Sequence, residues 1–163
     1  MAITAPTSSS MLHLVVINLT LQILEVNRLT KTAICMRKEL GVFGNDYDTH
    51  DGTGVRDYIH VVDLACGHVC ALKAIHENKG LAIYNLGTGH GYSVLDVVKA
   101  FEKVNGMKVP YVIKDRRPGD IANCYCNPAK AKAELGWEAK FGIEEMCRDS
   151  WNFQRNNPHG YEL

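Results

Sequence analysis

The 163-residue chain has no excess of charge of either sign: 18 Lys and Arg residues balance 18 Asp and Glu residues, and the formal net charge is zero. This excludes a chain that binds nucleic acid or a membrane surface through its overall field, while leaving room for a local charged pocket that takes a small anion. Long apolar runs are also missing. Met11 to Val26 is the most apolar stretch, but His13, Asn18, Thr20 and Gln22 interrupt it. It falls short of the roughly 20 apolar residues that cross a bilayer. The start of the chain has neither the basic segment nor the small-residue cleavage site of a secretory signal, so a cytoplasmic location is expected. No Cys-x-x-Cys pair, no Gly-x-Ser-x-Gly and no Tyr-xxx-Lys occurs. The first absence argues against a finger-type metal site, even with His50, His60 and His68 present, and the second against a serine-hydrolase elbow. Neither a metal site nor a nucleophile is expected.

Six cysteines stand at positions 35, 66, 70, 124, 126 and 147. Their spacing is unlike a small disulfide scaffold, and a chain of this length needs no staples. Buried free thiols in a reducing compartment are expected, with Cys66 and Cys70 on one core-facing side of a helix. Hydrophobic residues make up 46% and charged residues 22%, as in ordinary soluble domains. A domain of this size buries roughly 70% of its unfolded surface, enough for a core of its own.

The chain divides in two by character. Residues 1–34 are Thr/Ser-rich, then apolar, and fit a helical stripe (Leu12, Val15, Val16, Leu19, Ile23, Leu24) and a strand equally well. They are left unassigned. From Glu39 onward, strand, loop and helix signals alternate. Strands are expected at Gly41–Gly44, Val55–Val61, Leu81–Leu86 and Val109–Ile113. Asp63 can cap a helix from Leu64 to His76 whose buried side is Leu64, Val69, Leu72 and Ile75. Ser93, with Asp96 three residues on, forms a capping box for a helix that Gly106 stops. Asn127-Pro128 opens another helix, stopped by Gly136. Ile143–Asn156 is the last. Strands alternating with helices indicate an α/β protein.

Two segments suggest chemistry. Gly87-Thr88-Gly89-His90-Gly91 lies between a strand and a helix, which suits either a phosphate-cradling turn or a plain tight turn. Tyr92 stands where a dinucleotide fingerprint wants its third Gly. Arg116-Arg117-Pro118-Gly119-Asp120 puts two guanidinium groups on a shaped loop, which reads as a phosphate grip or as a solvated charged turn. Arg56 lies in a strand-like run, where a charged residue needs a partner, and Asp57 beside it points to the opposite face.

FGNDYDTHDGTGVRDYIHVVDLACGH, YNLGTGHGYSV, RRPGD and ELGW, in this order and spacing, resemble the UDP-glucose 4-epimerase family of extended short-chain dehydrogenases/reductases from about Arg37 to Tyr161. The resemblance implies an α/β chain: the C-terminal, UDP-sugar-binding part of a Rossmann-type fold, residues 35–163, lacking most of the NAD-binding domain. Residues 1–34 are not family-like. A complete member interconverts UDP-glucose and UDP-galactose in galactose metabolism and is a homodimer. NAD oxidises the sugar's 4-hydroxyl with a Tyr base and a helping Lys, and hydride returns to the other face of the 4-keto sugar. Neither the opening Gly-rich turn nor Tyr-xxx-Lys is found here, so no catalytic or NAD-binding residue is assigned, and this chain is expected to be inactive alone.

What the resemblance assigns is the substrate end. Gly41 and Phe43 line the uracil and ribose side, Arg56 and Arg117 grip the diphosphate, Asp120 bonds the ribose, and Tyr58 is a further candidate. Cys124 corresponds to the sugar pocket, where a small residue leaves room for N-acetylated sugars; its other reading is a buried thiol. Two rival readings are a non-catalytic nucleotide-sugar-binding fragment and another sugar-nucleotide epimerase or dehydratase of the same superfamily.

Overall fold

A computed structural model describes residues 14–17, 20–76 and 82–160. Residues 1–13, where the apolar run begins, and Leu81 lie outside them, as do the side chains of the proposed N-terminal stripe. In chain order the elements are β1 (Leu14–Ile17), α1 (Thr20–Ala33), β2 (Leu40–Phe43), β3 (Val55–Arg56), α2 (Val61–His76) and β4 (Ala82–Asn85). There follow β5 (Tyr92–Ser93), α3 (Val94–Asn105), β6 (Tyr111–Lys114), β7 (Asn123–Cys124), α4 (Ala129–Leu135) and α5 (Ile143–Asn156). The α/β alternation matches the expectation. The stretch that fits helix and strand equally contains both, β1 and then α1. No described helix is long and apolar enough to cross a membrane.

Among the described residues three small sheets organise the backbone: β1 beside β4 and β2 beside β6, both parallel, and β3 between antiparallel β5 and parallel β7. One core packs α1, α3 and α5 against β2 through Leu29, Val42, Val98, Phe101, Met146 and Cys147. Trp151 meets Phe101 edge-on at 5.9 Å. A second core joins α2, β4 and α4 through Leu64, Tyr84, Leu86, Ala131 and Trp137.

The helix ends follow local chemistry. Ser93 Oγ accepts the Asp96 N–H at 3.0 Å, and the Asp96 carboxylate accepts the Ser93 N–H at 3.1 Å, completing the capping box. Gly106 and Gly136 close α3 and α4 with φ of 65° and 62°, in the left-handed region open to glycine. Asn127 Oδ1 accepts the Ala129 N–H at 3.0 Å. α5 has the expected bounds.

Four expectations need correction. The strand over Val55–Val61 is only Val55–Arg56, because the buried Asp57 is drawn to Thr88 and Gly89 and the buried His60 to the start of α2. α2 then starts at Val61, not Leu64. His60 supplies its cap, with Nδ1 accepting the Val62 N–H at 3.1 Å and the carbonyl accepting the Leu64 N–H at 3.0 Å. The Asp63 carboxylate instead accepts the N–H groups of Lys140 and Phe141, both at 2.9 Å. Third, Val69 and Leu72 are 53% and 56% exposed; the packed side of α2 is Leu64, Gly67 and Ala71. A Cβ on Gly67 would stand 2.6 Å from Leu86 Cδ1, so a larger residue there would force the Leu86 side chain to shift. Fourth, all six cysteines are free, as expected, but only Cys147 is buried, and Cys66 and Cys35 are exposed. The fourth strand is shifted rather than lost, running over Tyr111–Lys114.

Candidate ligand cleft

A narrow cleft, with about 30 Å³ of free volume, opens beside the first core. The end of β2 supplies Gly41 and Phe43, the β3 segment supplies Gly54, Arg56 and Tyr58, and the loop before β7 supplies Arg117 and Asp120. Arg28 and Leu29 from α1, Leu40 from β2, Tyr47 from the loop between β2 and β3, and Val94 and Val97 from α3 complete the wall. Six of the seven residues expected at the substrate end therefore share one cavity.

The electrostatic centre is Asp120. It accepts a hydrogen bond from Arg117 Nε at 2.7 Å and lies 3.8 Å from Arg56 Nη2. Pro118-Gly119 shapes the turn that makes this possible: Gly119 has φ of 85°, and the Asp120 N–H donates to the Arg117 carbonyl at 3.2 Å. Arg56 is further fixed by donating from Nη1 to the Val55 carbonyl at 2.7 Å. A Cβ on Gly54 would come 3.3 Å from that nitrogen, so the glycine leaves the guanidinium its place. The Arg117 guanidinium lies over the Phe43 ring, 4.6 Å from its centroid. Two planar cations, each mostly buried and held in position, thus face one opening. Such an arrangement suits bidentate recognition of phosphate.

The two adjacent arginines divide the work. Arg116 turns outward, bonds the Asp46 carboxylate at 2.6 Å and its carbonyl, and stacks over Tyr47 at 4.1 Å. Only Arg117 enters the cleft. Cys124 is half-buried on β7, directly paired with Arg56 in the β3–β7 register, and is not part of the cleft wall.

The glycine-rich turn is committed elsewhere. Asp57, 2% exposed, takes the Thr88 N–H at 2.9 Å and the Thr88 hydroxyl at 2.7 Å on one oxygen. Its other oxygen takes the Gly89 N–H at 2.9 Å and the Cys126 thiol at 3.3 Å. Burial, then the Asp57 charge and hydrogen bond, push that thiol up to about 12. A Cβ on Gly87 would land 2.4 Å from Cys126 Sγ and 2.5 Å from Asp57 Oδ2. The turn's amides are spent on a protein carboxylate and its glycine on close packing. It is therefore a tight turn, and the described residues do not fit a dinucleotide phosphate there.

The histidines have separate partners: His60 pairs with Asp149 at 3.3 Å, and His68 with the Leu64 carbonyl of its own helix at 2.8 Å. His50, Asp51 and Asp96 do cluster, but both carboxylates serve the capping of α3 and its approach loop.

Fold and cleft together define part of an extended short-chain dehydrogenase/reductase. A family model described as GDP-mannose 4,6 dehydratase matches residues 20–150, and the chain belongs to that family. Within it, the chain is 64% identical over 132 residues to UDP-glucose 4-epimerase of Bacillus subtilis and 58% identical to that of Homo sapiens. These matches cover 81% of this chain, which spans about two fifths of its relatives' length, 39% and 38% respectively. The UDP-glucose 4-epimerase from Bifidobacterium longum, solved in complex with NAD+ and UDP, is similar at a TM-score of 0.77 and 56% identity, over 82% of this chain and 39% of that one. The UDP-Glc/GlcNAc 4-epimerase of Campylobacter jejuni superposes at 0.74 with 31% identity, over 85% of this chain and 42% of that one.

Three residues of this site escaped the sequence reading: Arg28, Tyr47 and Asp57 as the anchor of the turn. Arg28 was inside the unassigned segment, and Tyr47 had no expected partner in the sequence. Asp57 had one usable signal, a carboxylate on the face of the run opposite Arg56.

Proposed function

We propose that this chain is the UDP-sugar-binding part of a UDP-glucose 4-epimerase, the enzyme of galactose metabolism that interconverts UDP-glucose and UDP-galactose. The observation that carries the reading is the convergence of Arg56 and Arg117, from segments far apart in sequence, on Asp120 in one cleft. In this reading the two guanidinium groups hold the diphosphate, Asp120 orients the ribose, and Gly41 and Phe43 flank the base. Tyr58 backs them. Cys124, next to Arg56, belongs to the sugar end, where its small side chain leaves room for an acetamido group. The relatives' names and the uridine nucleotide in one of their structures support the substrate class. A cytoplasmic setting follows from the same reading.

The chain by itself binds without turning over. No Tyr-xxx-Lys occurs in it, and the amides of its glycine-rich turn are occupied by Asp57. NAD supplies the hydride chemistry in complete members. The purified chain given NAD and UDP-galactose should therefore show no epimerisation.

Calorimetric titration with UDP and uridine tests the site. Arg117→Ala should weaken UDP by about 1.5–3 kcal/mol, the worth of a charge-assisted hydrogen bond, and leave uridine nearly unaffected. Equal losses for both ligands would show that Arg117 serves the fold alone.

A further inference from the structure

We infer that Arg28 is a third phosphate-binding guanidinium of the cleft, which brings its charge into balance with a nucleoside diphosphate. This rests on the UDP-sugar reading of the same cavity.

Charge is the first argument. The charged groups lining the cleft are Arg28, Arg56, Arg117 and Asp120. Asp120 engages both Arg56 and Arg117, so those three groups together carry a single positive charge. A diphosphate esterified at both ends carries two negative charges. With Arg56 and Arg117 alone, the cleft would leave one of them unmatched in a half-buried site, where an unpaired charge is costly. Arg28 supplies the missing cation. Among the described residues no carboxylate lies within ion-pair distance of it, in contrast to Arg56, Arg116 and Arg117.

Placement is the second. The face of α1 that carries Arg28 is fixed by its neighbours: Leu29 is 2% exposed in the first core, and the Thr30 hydroxyl donates to Gln154 of α5 at 3.3 Å. The Arg28 carbonyl accepts the Thr32 hydroxyl at 2.9 Å. With α1 so anchored, Arg28 is set on the cleft wall. The third argument is independent of charge. Tyr47, 6% exposed and in the same wall, has a buried hydroxyl with no hydrogen-bond partner among the described residues. Nearly all buried polar groups are paired, so an unpaired phenol in the wall that also holds Arg28 leaves a donor for a polar ligand.

The test uses the 163-residue chain, titrated with UDP, UMP and uridine at low and high salt. Arg28→Gln should weaken UDP about tenfold or more, the loss of one charge-assisted hydrogen bond. It should weaken UMP less, leave uridine within about twofold, and flatten the salt dependence of UDP binding. Arg28→Lys should recover most of the loss. A measurement on the unmodified chain makes the result independent of how the variants fold: UDP, but not uridine, should protect Arg28 from phenylglyoxal modification, mapped by peptide mass spectrometry. Unchanged UDP affinity in Arg28→Gln, equal losses for UDP and uridine, or no protection would each overturn the role of Arg28 while the UDP site stands. If the unmodified chain binds no UDP, the site reading itself falls, and Arg28 with it.

Discussion

Asp57→Asn is the most demanding perturbation of this structure, because it changes one atom and leaves shape intact. The carboxylate receives five hydrogen bonds from two chain segments: the Thr88 N–H and hydroxyl on one oxygen, and the Gly89 N–H, the Cys126 N–H and the Cys126 thiol on the other. Asparagine keeps one acceptor oxygen. With that oxygen toward Thr88, its NH₂ meets the Gly89 N–H, and two donors face each other in a buried site. A charge-assisted hydrogen bond contributes about 1.5–3 kcal/mol, and an orphaned buried donor costs about 1–3 kcal/mol. Relief of the carboxylate's own desolvation offsets part of this. The expected net loss is about 2–4 kcal/mol, a large share of the roughly 5–15 kcal/mol that holds a domain together. Urea unfolding followed by the fluorescence of Trp137 and Trp151 measures it, as a lower midpoint at unchanged m-value. Gly87→Ala, which drives a Cβ to 2.4 Å from Cys126 Sγ, should lose stability in the same assay. An Asp57→Asn midpoint within about 0.5 kcal/mol of the parent would refute the reasoning, since that is the ordinary scatter of inconsequential substitutions.

Cys35 closes α1 with φ of 61°, where a side chain is strained, so Cys35→Gly should raise stability by about 0.5–1 kcal/mol in the same urea titration. Ser93→Ala removes the cap of α3 and the 2.5 Å hydrogen bond to Asp51, and should cost about 2 kcal/mol at neutral pH. Burial opposes ionisation of Asp51, but hydrogen bonds from Ser93 and Thr53 outweigh it and hold its pKa below the ordinary 3.8. The stability this provides is present above that value and lost as pH falls through the lower folded one. The Ser93→Ala penalty should therefore shrink in acid, read from unfolding midpoints across the pH series. An aromatic disulfide reagent at pH 8 should label exposed Cys35 and Cys66 quickly. It should label Cys126 and Cys147 slowly, because burial chiefly pushes both up to about 12, leaving a thiolate fraction of about 10⁻⁴. Rapid labelling of Cys147 in the folded chain would contradict its burial.

What was legible in the sequence was local. The capping box of Ser93 and Asp96, the stops at Gly106 and Gly136, and the bounds of α5 depend on residues within a turn of each other, and all stand as read. What failed depended on partners distant in sequence. The period of VRDYIHV is that of a strand, but pairing ends after Arg56, because Asp57 is drawn to Thr88 and Gly89 and His60 to the start of α2. α2 carries apolar residues on two sides, and its periodicity could not decide which would meet Leu86 and Trp137. Gly67 decided it by being small. In the site, RRPGD pointed to a cation pair, but which arginine turned inward depended on Asp46, seventy residues away. Arg28 had no motif at all; it is placed by the docking of α1 on α5.

The Asp57 junction also has a temporal consequence. Its hydrogen bonds span 31, 32 and 69 residues of chain, whereas the α3 cap spans three. Closing such loops takes conformational entropy before any bond repays it, so short-range elements form first and this junction forms late. Contacts made after the rate-limiting step restrain escape from the native state rather than speed arrival at it. Asp57 is thus expected to act as a latch: its loss should show chiefly as faster unfolding of the folded chain, with little change in how fast that chain forms.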